Sequence, residues 1–403
     1  MMNTTAIQPL YNTFTRRNLH FKQGNGVWLL SDKGERYLDF TSGIAVNALG
    51  HTHPKLVNTL KIQAEKLWHI SNLFQSHEQE IFAARLCENS FADKVFFCNS
   101  GAEALECAFK TARHYHYASG HSTRVEIITF EGAFHGRTLA TLAATGEEKY
   151  LKGFGPKAGG FIQIPFCDEN ALRNAVNKNT AAILIEPIQG EGGIRTVSHE
   201  NLKFLRKICD DNDLLLILDE VQTGIGRTGK LFAYEWSDIT PDILTLAKGI
   251  GGGFPLGACL ATEKAAKSMT PGTHGSTFGG NLLGMAVGNS VLDIILEPGF
   301  LDHVQNMGDK LKSGLLTILN TYPDIICAIQ GIGLMVGIQS IIPQEDIINA
   351  LENEYLLSVG ANNNVVRLLP PLTITEEEIC EALYRIERAI AHLSQINPKR
   401  QVS

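Results

Sequence analysis

The sequence predicts an α/β fold with a mostly parallel sheet that is covered by helices on both faces. Between the strands lie segments with apolar residues at helical spacing, such as residues 200–213. Strands that alternate with helices favour a parallel sheet. With 403 residues, of which 44% are hydrophobic, the chain is long enough for two domains. The predicted strands are six short apolar runs: VFFC (95–98), VEIITF (125–130), AAILIEP (181–187), LLLILDE (214–220), DILTLAK (242–248) and GACLAT (257–262).

The composition changes after about residue 285, where a smaller α+β unit is predicted. Residues 291–318 have a helical pattern. GIGLMVGIQS (331–340) and NNVVRLLPPLTIT (363–375) are typical of strands, and residues 376–393 form an amphipathic helix. The chain therefore ends in a unit with its own strands and helices.

Charge and composition exclude several classes of protein. The formal net charge is −7 and no basic run is interleaved with aromatic residues, so nucleic acid is not an expected partner. The first twenty residues contain no apolar segment of the kind that a secretion signal peptide has. No stretch of the sequence approaches the roughly 18 consecutive apolar residues that a membrane-spanning helix needs. We expect a cytoplasmic protein. The eight cysteines are scattered without CxxC pairs, which predicts neither disulfides nor a metal site.

Polar residues follow the predicted strands, at the sheet edge where α/β proteins bind ligands. Ser100 can cap the helix after VFFC, leaving the N–H groups of Gly101 and Ala102 as a phosphate cradle. Asp219 ends an apolar run, and a buried carboxylate there needs a cationic partner such as a protonated ring nitrogen. Lys248 ends another run beside several glycines, a setting for a reactive amine. Together these features predict a site for pyridoxal 5'-phosphate.

The segment GIGRTGK (224–230) offers a competing interpretation, a nucleotide-binding loop. Five residues, Asp219 to Thr223, separate its first glycine from the last apolar residue of the preceding strand. No helical pattern follows, and Leu231 stands where a Walker A loop has Ser or Thr. The context therefore disfavours a nucleotide site. Arg227 in this segment, like Arg195, is predicted to form a surface or loop ion pair.

Six stretches resemble the class III, fold type I aminotransferases that depend on pyridoxal phosphate. One departure is Leu105, where that family usually has Asn in a helix. The resemblance implies a seven-stranded, mostly parallel sheet in a large cofactor-binding domain at 61–285, and a small α+β domain built from residues 1–60 and 286–403. The stretches are FFCNSGAEA, FHGRT, EPIQGEGG, LDEVQTGIGRTG, AKGIGGGFPLGA and THGSTFGGN.

For the cofactor, the resemblance implies that Lys248 bonds to its aldehyde and later transfers a proton. Asp219 would keep the ring nitrogen protonated, and Gln222 would hydrogen-bond the phenolic oxygen. Val221 and Phe134 would pack on the two ring faces.

The phosphate would be bound by Ser100, Gly101 and Ala102 together with Thr277 of a neighbouring subunit. Ser276 would contact the substrate. The resemblance thus implies a homodimer with shared active sites.

The resemblance also implies how the substrates are recognised. Arg137 would bind the α-carboxylate of N2-acetylornithine, and Arg367 that of 2-oxoglutarate or glutamate, with Glu191 pairing with Arg367 in the other half-reaction. At Gly43, ornithine aminotransferases usually have Tyr, so glycine leaves room for an acyl group. The resemblance is greatest for acetylornithine aminotransferases. Succinylornithine, ornithine and 4-aminobutyrate remain alternative substrates, and a racemase or aminomutase an alternative activity.

Overall fold

The computed structural model describes residues 9–396. Residues 1–8 and 397–403, the outer ends of the first and last predicted segments, lie outside the described residues. The N-terminal part begins with antiparallel strands, followed by a tight turn and a helix. Its elements are β1 (Phe21–Asn25), β2 (Trp28–Ser31), β3 (Arg36–Asp39), α1 (Ser42–Ala45) and α2 (Pro54–Ala64). α1 is a single turn in which φ is positive at all four residues.

The central part alternates strands and helices, as the sequence predicts. Its elements are α3 (His77–Glu88), β4 (Lys94–Cys98), α4 (Gly101–Ala118), β5 (Glu126–Phe130), α5 (Leu139–Thr145), α6 (Glu148–Leu151), β6 (Phe161–Ile164), α7 (Glu169–Ala175), β7 (Thr180–Ile185), β8 (Ile188–Gln189), β9 (Arg195–Thr196), α8 (His199–Asn212), β10 (Leu215–Asp219), β11 (Ile243–Leu246), β12 (Gly257–Ala261) and α9 (Glu263–Ala266). Short 3₁₀ turns cover Ala233–Trp236 and Lys248–Gly251.

Seven of these strands form one sheet in the order β4-β12-β11-β10-β7-β5-β6. Neighbours from β11 to β6 pair in parallel, and β12 runs antiparallel to both β11 and β4. The predicted seven-stranded, mostly parallel sheet is confirmed. Because β4 runs in the same direction as β10 and β11, the residues that follow these three strands lie at one edge.

Burial on both faces explains why β10 is a continuous apolar run. Leu216 and Leu218 belong to the hydrophobic core that includes α8, whereas Leu215 and Ile217 pack in the core that includes α4. Leu105, the residue that departs from the family pattern, is fully buried in this second core. Leu105 therefore packs in the core and does not lie at the sheet edge where the predicted site residues meet.

The C-terminal part contains helices, short strands and a long final helix. Its elements are α10 (Leu282–Ile295), α11 (Phe300–Thr321), β13 (Ile326–Ile332), β14 (Met335–Ser340), α12 (Gln344–Asn353), β15 (Leu356–Leu357), β16 (Val359–Ala361), β17 (Val365–Leu368) and α13 (Glu376–Ile396). The predicted helix over 291–318 is two helices, because Pro298 and Gly299 interrupt it. The predicted strand 331–340 is the second half of a hairpin that turns at Gly333, where φ is +57°.

Strands from the two halves of the chain share one sheet. β15 pairs in parallel with β3, which completes a four-stranded sheet with β1 and β2. The domain boundaries at residues 60 and 285 remain a prediction. All eight cysteines are free thiols. Over residues 9–396 no single helix is long and apolar enough to cross a membrane. The helices α10 and α11, which are bent against each other, reach the required length and apolar composition only when they are counted together.

Candidate active site

A cavity of about 320 Å³ opens at the edge of the central sheet where β4, β10 and β11 end. Its volume lies in the range of small-molecule sites. Most of the residues predicted from the sequence to bind a cofactor meet here. The cavity is lined by Val46, Asn99, Ser100, Gly101, Ala102, Phe134, His135, Gly136, Glu186, Glu191, Asp219, Val221, Gln222, Ala247, Lys248, Gly253, Phe254, Pro255 and Leu256.

The N-terminus of α4 forms one wall. Ser100 has extended backbone dihedrals and its hydroxyl accepts a hydrogen bond from the Glu103 N–H at 3.3 Å, so it caps the helix as predicted. Glu103 accepts in return from the Ser100 hydroxyl at 3.0 Å. Gly101 and Ala102 are the first two helical residues, whose N–H groups have no carbonyl one turn back. An 18-residue helix thus presents free donors and its positive end to the cavity.

Asp219 lies at the end of β10 with 4% of its surface exposed. Its Oδ2 is 2.8 Å from His135 Nδ1, and its Oδ1 accepts from the Val221 N–H at 3.1 Å. The Thr245 hydroxyl donates to Oδ1 at 3.4 Å. These contacts fix the plane of a carboxylate that lines the cavity.

Two buried groups beside Asp219 were given no role in the sequence-based interpretation. His135 is 3% exposed, and its Nε2 has no hydrogen-bond partner within the described part of the chain. Glu186 accepts hydrogen bonds from the Phe134 and Gly190 N–H groups at 2.9 and 3.4 Å. Burial raises the pKa of Glu186 to about 7. Both residues lie at or just after the ends of predicted strands, and that position is the signal by which the sequence could have indicated them. Their closeness to Asp219 joins positions that are far apart in the chain, so residue spacing does not reveal it.

Lys248 lies two residues after the end of β11 and lines the cavity. Its φ of +49° lies in the left-handed region, which is strained for a lysine. Burial, and then the Arg367 cation, lower the pKa of its ammonium to about 8, against opposing effects of Glu191 and Asp219. At neutral pH roughly a tenth of the amine is therefore unprotonated and nucleophilic, against well under a thousandth at the ordinary lysine pKa of 10.5.

Arg367 on β17 and Glu191 form an ion pair at the cavity wall. The Arg367 Nη1 is 2.7 Å from Glu191 Oε1, with the arginine side chain 2% exposed and the glutamate 28%. Nη1 also donates to Gln222 Oε1 at 3.3 Å, and Nη2 donates to the Gly360 carbonyl at 3.3 Å. The structure thus brings together the pair that the sequence predicts.

Five predicted residues lie outside the cavity lining, and Arg367, which reaches it through Glu191, is one of them. Thr277 is exposed, and Ser276 receives a hydrogen bond from the Asn99 side chain at 3.2 Å. Arg137 is exposed one residue after Gly136. Gly43 is exposed in the left-handed turn α1, with a φ of +63°.

The prediction for Arg227 and Arg195 is wrong. Arg227 is 2% exposed and donates to the Leu334 and Pro370 carbonyls, with no carboxylate partner among residues 9–396. Burial lowers its pKa to about 9. Arg195 hydrogen-bonds the Gln189 side chain and lies over the Phe166 ring. The GIGRTG segment is therefore a structural connection to the C-terminal part, in agreement with the rejection of a nucleotide loop.

The donor set fits pyridoxal 5'-phosphate. The cavity combines an amine with a lowered pKa at Lys248, a buried carboxylate at Asp219 and free N–H groups at the start of α4. These match an aldehyde, a protonated ring nitrogen and a phosphate. No group of three or more metal-binding side chains occurs in the described residues.

Comparison with known proteins gives consistent matches. The family described as "Aminotransferase class-III" matches residues 12–390. An acetylornithine aminotransferase of Brucella melitensis biotype 1 is 60% identical over 398 residues, covering 99% of both chains. The N-acetylornithine aminotransferase structure from Stenotrophomonas maltophilia K279a has a TM-score of 0.84 at 37% identity, covering 95% of this chain and 98% of that one. The ornithine aminotransferase structure from Toxoplasma gondii ME49 has a TM-score of 0.93 at 31% identity, covering 97% of this chain and 94% of that one.

Proposed function

The chain belongs to the class-III aminotransferases, which depend on pyridoxal 5'-phosphate, and from that premise we propose the reaction that it catalyses. It transfers the terminal amino group of N2-acetyl-L-ornithine to 2-oxoglutarate, giving N-acetyl-L-glutamate 5-semialdehyde and L-glutamate. This assigns it a role in arginine biosynthesis. The observation on which the reaction depends is that Lys248, Asp219 and the start of α4 open onto one cavity. Identity of 60% to a relative named acetylornithine aminotransferase supports the substrate.

When bound, the cofactor supplies an aldehyde that bonds to primary amines and a ring that withdraws electrons. Lys248, in its neutral form, would hold the cofactor through that aldehyde, and its amine would move a proton at the substrate carbon once the substrate occupies the site. Asp219 holds a proton at the ring nitrogen, and the His135 contact keeps the carboxylate oriented. Phe134 and Val221, which line the cavity, would enclose the ring, and Gln222 would bind the phenolic oxygen.

Two arginines provide for two carboxylate substrates in turn. Arg137 binds the α-carboxylate of the acylated ornithine, since its fork of donors matches a carboxylate. Arg367 binds the α-carboxylate of 2-oxoglutarate or glutamate when Glu191 leaves it, and the ion pair of 2.7 Å neutralises the arginine otherwise. Gly43 leaves space for the acyl group, and Ser276 contacts the substrate beside it.

We infer a homodimer in which Thr277 reaches the phosphate site of the partner. Thr277 is exposed and does not line the cavity of its own chain. Large apolar side chains lie exposed around it, among them Trp68, Leu73 and Phe278 at 62%, 86% and 61%. The Asn72 side chain donates a hydrogen bond to the Gly279 carbonyl at 2.8 Å. This bond joins the segment that carries Leu73 to the segment that carries Thr277, so that the two form one surface. An apolar patch of this kind is typical of a protein interface.

We also propose a cytoplasmic location. Eight free thiols fit a reducing compartment.

Kinetics with competing amines test the substrate assignment. We expect the highest kcat/KM with N2-acetylornithine, ahead of N2-succinylornithine, ornithine and 4-aminobutyrate, and no turnover when 2-oxoglutarate is omitted. A higher kcat/KM with ornithine would overturn the assignment. Turnover of a single amino acid without 2-oxoglutarate would instead indicate a racemase or aminomutase.

A further inference from the structure

Arg137 is held by aromatic rings rather than by a carboxylate. Its guanidinium carbon lies 4.1 Å from the centroid of the Tyr150 ring and 5.4 Å from that of Phe134. No ion pair or hydrogen bond involves its guanidinium within residues 9–396. Its charge therefore has a defined position while its N–H groups remain free.

The two rings form a connected platform. Phe134 and Tyr150 meet edge to face, with centroids 6.3 Å apart and planes at 85°. Phe134 lines the cavity, whereas Tyr150 is half-buried on α6. Edge-to-face contact is a favourable geometry for aromatic pairs. The platform thus extends from the cofactor cavity to Arg137.

The short helix that supplies Tyr150 is anchored at its neighbouring residue. The Lys149 ammonium donates to Asn362 Oδ1 at 3.0 Å and lies 3.5 Å from Glu147 Oε2. The Asn362 N–H in turn donates to the Glu191 carbonyl at 2.8 Å. These contacts attach α6 to the loop that carries Glu191, so the Tyr150 ring has a fixed position over Arg137.

The contrast with Arg367 indicates what the platform does. Arg367 is ion-paired with Glu191, and a substrate carboxylate must displace that partner. A ring under the guanidinium orients the cation through its π face and leaves all five N–H donors available for a bidentate contact. Arg137 is thus prepared for a carboxylate without a competing anion.

We propose that Tyr150 is a positioning residue that orients Arg137 for the α-carboxylate of the amine substrate. The proposal rests on the proposed function, because it specifies how that substrate is recognised. The required property is the aromatic face, so Phe can replace Tyr150 and an aliphatic residue cannot.

A double-mutant cycle tests the proposal. We expect Tyr150→Leu to lower kcat/KM for N2-acetylornithine by about 3- to 30-fold, the range of a cation–π contact, and Tyr150→Phe to stay within twofold of wild type. In the Arg137→Ala background, Tyr150→Leu should have no further effect, because the cation is already absent. Equal losses from Tyr150→Leu in both backgrounds would overturn the proposal.

A substrate without the carboxylate separates positioning from a general structural defect. N-acetylputrescine has the chain and acetyl group of N2-acetylornithine but lacks the α-carboxylate. Its kcat/KM should be unchanged by Tyr150→Leu, whereas an equal loss on both amines would contradict a carboxylate-specific role. If the wild type prefers ornithine, the proposed function fails, and ornithine against putrescine tests Tyr150 in the same way. Melting temperatures of all variants should agree within a few degrees.

Discussion

Replacing Glu191 by Gln should tighten the binding of dicarboxylates at Arg367. In the structure the Glu191 carboxylate is 2.7 Å from the Arg367 guanidinium, where it occupies the donors that we assign to 2-oxoglutarate. A ligand carboxylate must displace it. Gln is isosteric but neutral, so it competes less strongly for the arginine and does not repel the incoming anion.

The size of the effect follows from the contacts. A hydrogen bond to a charged group contributes about 1.5–3 kcal/mol, and the neutral amide retains about 1 kcal/mol of it. The difference of about 0.5–2 kcal/mol corresponds to roughly 2- to 30-fold tighter binding. Unfolding free energy should fall by a similar amount, because the Arg367 side chain is only 2% exposed and loses its counter-charge.

The assay is competitive inhibition by glutarate, which has both carboxylates but no keto group. We expect its inhibition constant to fall in Glu191→Gln and not in Glu191→Asp, which keeps the negative charge beside the ligand. The pKa of Lys248 should also fall further below about 8, because Glu191 raises it while Arg367 lowers it. An unchanged or weaker inhibition by glutarate would refute the reasoning.

The remaining predictions concern Lys248 and Gly43. Lys248→Ala should abolish turnover and leave a folded protein by circular dichroism, and any retained steady-state turnover would contradict the assignment. Covalent labelling of Lys248 by pyridoxal phosphate and borohydride should rise with pH through a midpoint near 8 and level off about one pH unit above it, since only the neutral amine reacts; a midpoint near 10.5 would contradict the lowered pKa. Gly43→Tyr should reduce kcat/KM for N2-acetylornithine more than for ornithine, with Gly43→Ala as the control for backbone strain at a φ of +63°. Equal losses on the two amines would show that Gly43 does not border the acyl group.

The sequence predicted those features that depend on local pattern. The continuous apolar run of β10 indicated a strand buried on both faces, and the polar residues after it led to Asp219. Ser100 was predicted as a cap from its place between a strand and a helix. In each case neighbouring residues determine the conformation.

Features that depend on contacts between distant residues were missed or wrong. His135 and Asp219 are 84 positions apart, and no spacing indicates their hydrogen bond. Arg227 was predicted to form a surface or loop ion pair, because the sequence around it does not reveal that it donates to the Leu334 and Pro370 carbonyls. The platform under Arg137 likewise requires knowing that α6 folds back over the loop after β5.

The backbone at Lys248 has a consequence for engineering. A lysine with φ of +49° raises the energy of the folded state by about 1–3 kcal/mol, which a glycine at that position would relieve. When both proteins are free of cofactor, an inert Lys248→Gly variant should therefore melt at a higher temperature than the wild type. A screen that rewards heat resistance alone would favour dead variants at this position, so directed evolution of this scaffold must select for turnover at every round.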